Sequence, residues 1–396
     1  MDSVLDSHRD DGADPFDFTG DAHILFTAPY YPDADALASR PAYKLPADGK
    51  LDAAGRLVPA EHDISAFLNG PLTFGNATIN VVTGFAGGEA FTDALCTMLM
   101  LQTGLPVTAS VNGMLLPDGY GAVAIWVTVP DGWSPENREA LLAVFGPGND
   151  DSDGRESGRE LLADELRARL LPAISQMCHN CCPQDKCPTV IPYLNATYAG
   201  STDHPAPGRA TLRDEYRDLI FPRTAAPIRS ESPWMSEFYC PGSGFSILAS
   251  ENPAKTLGKL EILLLNLDVL YARMDNSAAA ADRVVRSAER RKNIDGLIAA
   301  EYRLRSDYHA LVQPSFTYDA HVTQLRDALL SSWDTDKNSQ RADALLNMAR
   351  QAVERQIALD QGRRVARLNF VLALLTIISL ISSIDAAFDL WSRLSH

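Results

Sequence analysis

The sequence predicts an α+β (or α/β) cytoplasmic domain followed by long α-helices that end in a C-terminal transmembrane helix. Three observations carry that prediction. Short β-branched and aromatic runs, punctuated by glycine and proline turns, fill residues 21–250. From Leu260 onward apolar residues recur at helical spacing. Residues 368–384 then contain no charged side chain at all.

Taken in order, residues 1–20 are acidic and polar and read as a disordered leader. They have no basic start and no apolar core of a secretory signal, so the front domain is expected to stay in the cytoplasm. Strands are predicted over residues 23–27 and 78–82. A glycine turn, Gly84 to Gly88, leads into a helix over residues 89–102. That turn has the strand–loop–helix layout of a phosphate cradle but lacks a Gly-Lys-Ser/Thr. Residues 107–116 and 120–129 form a hairpin through Pro117-Asp118-Gly119. Ser134-Pro135 signals a helix start, and that helix runs to Phe145. A second helix covers residues 159–176, residues 189–237 read as irregular, and residues 245–248 form the last strand.

Beyond it the chain is helical. Asn252-Pro253 supplies a cap and a first-turn proline. Leu260, Leu263, Leu264, Leu267, Tyr271 and Met274 line one face of the first helix. Helices are then expected over residues 277–312, 319–333 and from 339 into the apolar segment, with Leu346, Ala349, Val353 and Ile357 on one side. The domains are therefore a leader (1–20), an acidic α/β domain (21–250), a helical stalk or bundle (251–367) and a transmembrane helix (368–390).

Charge follows the same division. The chain carries a formal net charge of −16, with 16 Lys/Arg against 34 Asp/Glu in residues 1–254 and 19 against 17 thereafter. Such an acidic front half excludes a nucleic-acid backbone as partner, since that surface needs clustered positive charge. The run Arg283, Arg286, Arg290, Arg291 and Lys292 reads as a solvated helix face, with anionic lipid second.

The C-terminal segment is short. Seventeen residues, 368–384, give roughly 25 Å of helix against a hydrocarbon core of ~30 Å. Extension to Leu390 gives about 34 Å and takes in Asp385 and Asp389. Arg363, Arg364 and Arg367 precede it and only Arg393 follows, so the basic flank is expected to stay in the cytoplasm. The expected location is the inner (cytoplasmic) membrane, crossed once. The alternative is a helix buried in a soluble bundle. Asn369, Ala373, Thr376, Ser379, Ser383 and Ala387 recur every three or four residues, a small and polar stripe suited to helix packing or a pore face. The partners this implies are membrane lipid and further copies of the same chain.

One further cluster is suited to chemistry. Cys178, Cys181, Cys182 and Cys187 crowd into ten residues, and soft thiolates at C-x2-C spacing suit zinc. His179 and Cys240 are alternatives for a fourth ligand; an unliganded loop of thiols is the other reading. There is no H-E-x-x-H and no G-x-S-x-G, so no catalytic residue is assigned and an enzyme is not expected.

The run Arg367-Leu368-Asn369-Phe370-Val371-Leu372-Ala373-Leu374-Leu375-Thr376-Ile377-Ile378-Ser379 is similar to the entry of the first membrane helix in the CorA-like family of metal-ion transport proteins. The order of an acidic α/β domain, long helices and a membrane helix resembles that family too. The resemblance implies an oligomer with a cytoplasmic sensor domain and an ion-conducting membrane bundle. Two features depart from it. The family's Gly-Met-Asn signature is missing, the only Gly-Met being Gly113-Met114, and no second membrane helix appears before His396. Magnesium selectivity is therefore not carried over. By analogy with acidic sensor domains joined to membrane helices, the alternative expectation is a membrane-anchored effector or scaffold of a bacterial defence (conflict) system, recruited by partner proteins.

Overall fold

The computed structural model describes residues 15–32, 49–51, 57–59, 73–74, 77–78, 80–83, 88–115, 119–146, 158–181, 189–202, 211–220, 222–229, 237–291, 294–312 and 320–394. The chain divides into two compact units, Met1–Asn276 with Arg305–Ser339, and Ser277–Leu304 with Gln340–His396. Residues 305–339 thus group with the front of the chain rather than with the remainder of 251–367.

The first unit is built on a mixed sheet. Its strands are β2 (Thr19–Pro32), β7 (Asn80–Thr83), β8 (Thr108–Leu115), β9 (Gly121–Val129), β10 (Thr189–Val190), β11 (Asn195–Ser201), β13 (Ile228–Arg229), β14 (Phe238–Pro241) and β15 (Phe245–Ala249). They lie in the order β13-β14-β15-β11-β2-β9-β8-β7, with β10 paired to the end of β2. Two-stranded pairings join β1 (Pro15–Phe16) to β12 (Thr211–Leu212), β3 (Gly49–Leu51) to β4 (Leu57–Pro59), and β5 (Thr73–Phe74) to β6 (Ala77–Thr78). All neighbours in the large sheet are antiparallel except β11 and β15. A parallel pair needs a crossover, and the chain between Ser201 and Phe245 supplies it.

Strand β2 sits at the centre and is covered on both faces. Ile24, Phe26, Ala28 and Tyr30 point into one core, and Leu25 and Thr27 on the opposite face are equally buried. The first core is closed by α1 (Gly88–Thr103), α2 (Arg138–Phe145) and α3 (Gly158–Cys181), through Leu95, Leu99, Leu141, Phe145, Leu162, Leu166 and Leu170. Across the other face lies the start of α5 (Pro253–Arg291), with Leu260, Leu263, Leu264 and Leu267 buried. The short helix α4 (Asp214–Arg217) carries Tyr216, while α7 (Ala320–Ser332) packs on β13 and β14. A helix α6 (Ile294–Val312) and a 60-residue helix α8 (Thr335–Leu394) complete the chain.

The second unit consists of helix alone among the described residues: the end of α5, most of α6 and nearly all of α8. Leu297, Ala300 and Leu304 of α6 are buried, as are Leu346, Ala349 and Val353 of α8. Arg350 pairs with Glu301 at 3.1 Å.

Several expectations hold. The hairpin of residues 107–129 is β8 and β9, with Thr108 opposite Thr128. Asn252 caps α5, its Oδ1 accepting from the Lys255 amide at 3.1 Å. Others are corrected. The leader is not structureless throughout, because Pro15 and Phe16 pair with Thr211 and Leu212, and Phe18 is buried. Helix α2 begins at Arg138, not at Ser134; the Ser134 carbonyl first accepts from the Asn137 and Arg138 amides at 3.1 and 2.9 Å, making a turn ahead of the helix. Residues 189–237 are not irregular throughout: among the described residues of that range, β11 is a central strand of the sheet. Nor does α5 break near Ser277: it runs to Arg291, with Asn276 buried in mid-helix and donating to the Tyr120 hydroxyl at 2.8 Å.

One corner is unusually tight. Phe18, Trp133 and Tyr216 stack with ring centroids 4.7–5.7 Å apart. Trp133 Nε1 donates to the Ala199 carbonyl at 2.9 Å. Asp17 accepts from the Tyr216 hydroxyl and from Arg138 at 2.7 Å, and pairs with Arg213 at 3.1 Å. Burial works to raise the Asp17 carboxyl, but the Tyr216 and Arg138 bonds outweigh it and hold the group below its ordinary value. Gly200 is the floor of this corner: a Cβ there would lie 2.6 Å from Phe18 and 2.8 Å from Trp133. Gly200→Ala is therefore expected to destabilise the protein by about 1–3 kcal/mol through overpacking, read as a lowered denaturation midpoint. An unchanged midpoint would show that the aromatic corner yields freely.

Candidate functional site

Helix α8 carries the feature most clearly marked for an external partner. A single helix long and apolar enough to cross a membrane occurs among the described residues, and none of its most apolar window is buried. Leu368, Phe370, Val371, Leu372, Leu374, Leu375, Ile377, Ile378 and Leu380 all stand exposed. A soluble core helix of this composition would bury one face, and among the described residues nothing covers this one.

The small and polar stripe lies on the same helix, with Asn369, Ala373, Thr376, Ser379, Ser383 and Ala387 all exposed. Its hydroxyls are not idle. Thr376 donates to the Leu372 carbonyl and Ser383 to the Ser379 carbonyl, each at 2.8 Å. Back-bonding of this kind satisfies a hydroxyl within its own helix, so these two residues need neither water nor a second helix to enter hydrocarbon. Arg363, Arg364 and Arg367 are exposed immediately before the apolar run, and Arg363 lies 3.9 Å from Asp360. Of the upstream basic run, Arg286 pairs with Asp282 of its own helix.

The cysteine cluster is divided. Cys178 and Cys181 fall at the end of α3, whereas Cys182 and Cys187 lie outside the described residues. Among the described residues, no group of three or more His, Cys, Asp or Glu side chains is placed to hold a metal. Cys240, the alternative fourth ligand, lies on β14. It is buried in the sheet core, its thiol donates to the Ala225 carbonyl at 3.4 Å, and burial pushes its pKa up to about 12. Gly84 to Gly87 of the glycine turn likewise lie outside the described residues.

The residue that sequence reasoning missed is Asp268. It lies on α5 and is 1% exposed. Thr27 of β2 and Asn195 of β11 are cross-strand partners at one level of the sheet. Asn195 Nδ2 donates to Asp268 Oδ1 at 2.5 Å, and Thr27 hydrogen-bonds the same carboxyl. Tyr193 donates to the Asp268 backbone carbonyl at 3.3 Å. An aromatic chain continues from there, Tyr193 to Tyr271 at 5.9 Å and Tyr271 to Trp333 at 5.2 Å. Tyr31 at the end of β2 meets Tyr120, just ahead of β9, at 5.8 Å, and the Arg273 guanidinium lies 5.6 Å over the Tyr120 ring. One signal in the sequence could have found this cluster. Asn266 and Asp268 interrupt a run of leucines, and a polar residue in such a run has to be bonded if it is buried. About two turns nearer the start of the helix, part-buried Glu261 accepts from Asn112 Nδ2 at 2.9 Å.

Comparison of the chain with known families, curated proteins and solved structures finds no match.

Burial dominates the Asp268 carboxyl and raises its pKa from 3.8 to about 7, against the opposing pull of the Thr27 and Asn195 bonds. The folded protein therefore holds this proton more tightly than the unfolded chain does. The stabilisation is full below the unfolded value and is lost as pH rises through about 7. Between pH 6 and 8 this one group is expected to remove about 1 kcal/mol of stability. Asp268→Asn, which mimics the protonated form, should flatten that dependence in chemical denaturation. A slope unchanged by the substitution would show that the carboxyl titrates elsewhere.

Proposed function

We propose that this chain is a single-pass protein of the inner membrane, with the mixed-sheet unit acting as a cytoplasmic sensor. The observation that carries the reading is the uncovered apolar stretch of α8, continuous with a helix that begins at Thr335. Sixty residues of helix extend about 90 Å, of which the hydrocarbon core takes about a third. The arginines before the apolar stretch orient it with the bulk of the protein on the cytoplasmic side. In the manner that the CorA resemblance implies, the last helices of several copies gather into a bundle or narrow pore.

A second reading, a membrane-anchored effector or scaffold of a bacterial defence system, is favoured by one observation. Thr376 and Ser383 already satisfy their hydroxyls within α8, so the stripe does not demand a water-lined channel. In that reading the sheet unit is the docking surface for protein partners, and the bundle conducts nothing.

Both readings require the full chain to remain in the membrane pellet through high salt and alkaline carbonate. Leu375→Arg with Ile378→Arg places two charges near the middle of the apolar stretch, each costing about 3 kcal/mol of insertion. That variant is expected to move to the soluble fraction, and retention in the pellet would remove the anchor. Sizing of the intact protein in detergent as an oligomer, with ion release from loaded vesicles, supports the pore. An oligomer or monomer without ion release supports the anchored effector.

A further inference from the structure

We infer that Arg363, Arg364 and Arg367 form a binding surface for the phosphate of anionic phospholipid headgroups. The inference rests on the membrane reading above and names the lipid class that the helix selects. On an α-helix, residues 363, 364 and 367 fall within a sector of about 100°, so the three guanidiniums share one side of α8. All three are exposed, and residues 361–384 contain these three arginines and no Asp or Glu. Asp360 stands 3.9 Å from Arg363, and among the described residues Arg364 and Arg367 have no acidic partner. Among the described residues their charge is left open to a counter-charge from outside α8.

Position decides what that charge is. Leu368, the residue after Arg367, opens the apolar stretch, so Arg364 and Arg367 lie within about one helical turn, ~5.4 Å, of the hydrocarbon boundary. That is the depth of the lipid phosphates. The planar guanidinium fork matches a phosphate bidentately, which a compact ammonium does not. Next to Arg363, a groove on α8 is lined by Arg355, Ala358, Leu359, Gly362 and Ala366, where the absence of bulk lets a headgroup approach the helix backbone. The rest of the chain makes the contact necessary. A protein of net charge −16 is repelled by an anionic leaflet, and a cationic collar at the point of entry offsets that repulsion locally.

The test uses the full chain reconstituted in phosphatidylcholine bilayers that contain either spin-labelled phosphatidylglycerol or spin-labelled phosphatidylcholine. Electron paramagnetic resonance then gives the fraction of each label held at the protein boundary. Each arginine near the surface contributes about a fivefold preference for the anionic lipid at most. The wild-type protein is therefore expected to favour phosphatidylglycerol severalfold, and R364Q/R367Q to bring the ratio close to one. R364K/R367K, which keeps the charge and loses the fork, should retain part of the preference. Inorganic phosphate at millimolar concentration should leave the ratio unchanged, and loss of the preference would reassign the site to a soluble phosphate. Equal association of the two labels with wild type, or a preference untouched in R364Q/R367Q, overturns the inference while leaving the anchor intact. No motionally restricted label of either kind overturns the anchor itself, and this inference with it.

Discussion

Helix α5 crosses the sheet where Thr27 and Asn195 stand opposite one another, and the Asp268 carboxyl reaches both. The arrangement of the front unit follows from that clasp. Strand β2 is central and must be covered twice. An apolar face alone can be covered by a helix in many registers, because leucine packing is tolerant of small slides. A buried carboxyl bonded to two adjacent strands is not tolerant, since any slide leaves it unpaired at a cost of roughly 1–3 kcal/mol or more. Asp268 thus fixes where α5 lies, and Asn276, two turns on, holds the same face through the Tyr120 hydroxyl. The cost is a carboxyl kept protonated near neutrality by burial.

Legibility in the sequence tracked the range of the physical forces. Local signals were read well. The hairpin of β8 and β9 announced itself through Pro117-Asp118-Gly119, and the start of α5 through Asn252-Pro253. Non-local elements were not. Strand β11 reads Asn-Ala-Thr-Tyr-Ala-Gly-Ser, small residues without a β-branched run, because both its faces are crowded: Gly200 leaves room only for Phe18 and Trp133. Its strand character comes from the neighbours, β2 and β15, which lie more than 40 residues away on either side in sequence. The same holds for Asp17 and Phe18, which sit in an acidic stretch yet are held by Arg138, Arg213 and Tyr216.

The site was legible in part for the same reason. An uncharged apolar run with an arginine flank is a local pattern, and it was found. The buried polar cluster on α5 was not, because periodicity counts Leu264, Leu267 and Tyr271 and passes over the aspartate among them. A polar residue on a buried helix face carries more structural information than the leucines around it, since it has few acceptable partners.

The front unit and the apolar part of α8 satisfy their polar groups in different ways. In the front unit buried polar side chains such as Asn195 and Asp268 find partners on another strand or helix, because water is lost there and must be replaced. In the apolar part of α8 two hydroxyls, those of Thr376 and Ser383, turn inward to their own helix. That is the solution required where no partner can be counted on, since a helix in hydrocarbon must satisfy its polar groups alone. Between these regimes stand three arginines whose charge nothing in residues 361–384 balances. A helix that closes its own hydrogen bonds but leaves its charges open is built for a surface rather than for a core. On the proposed reading, the charge at the boundary ties an acidic protein to the membrane surface.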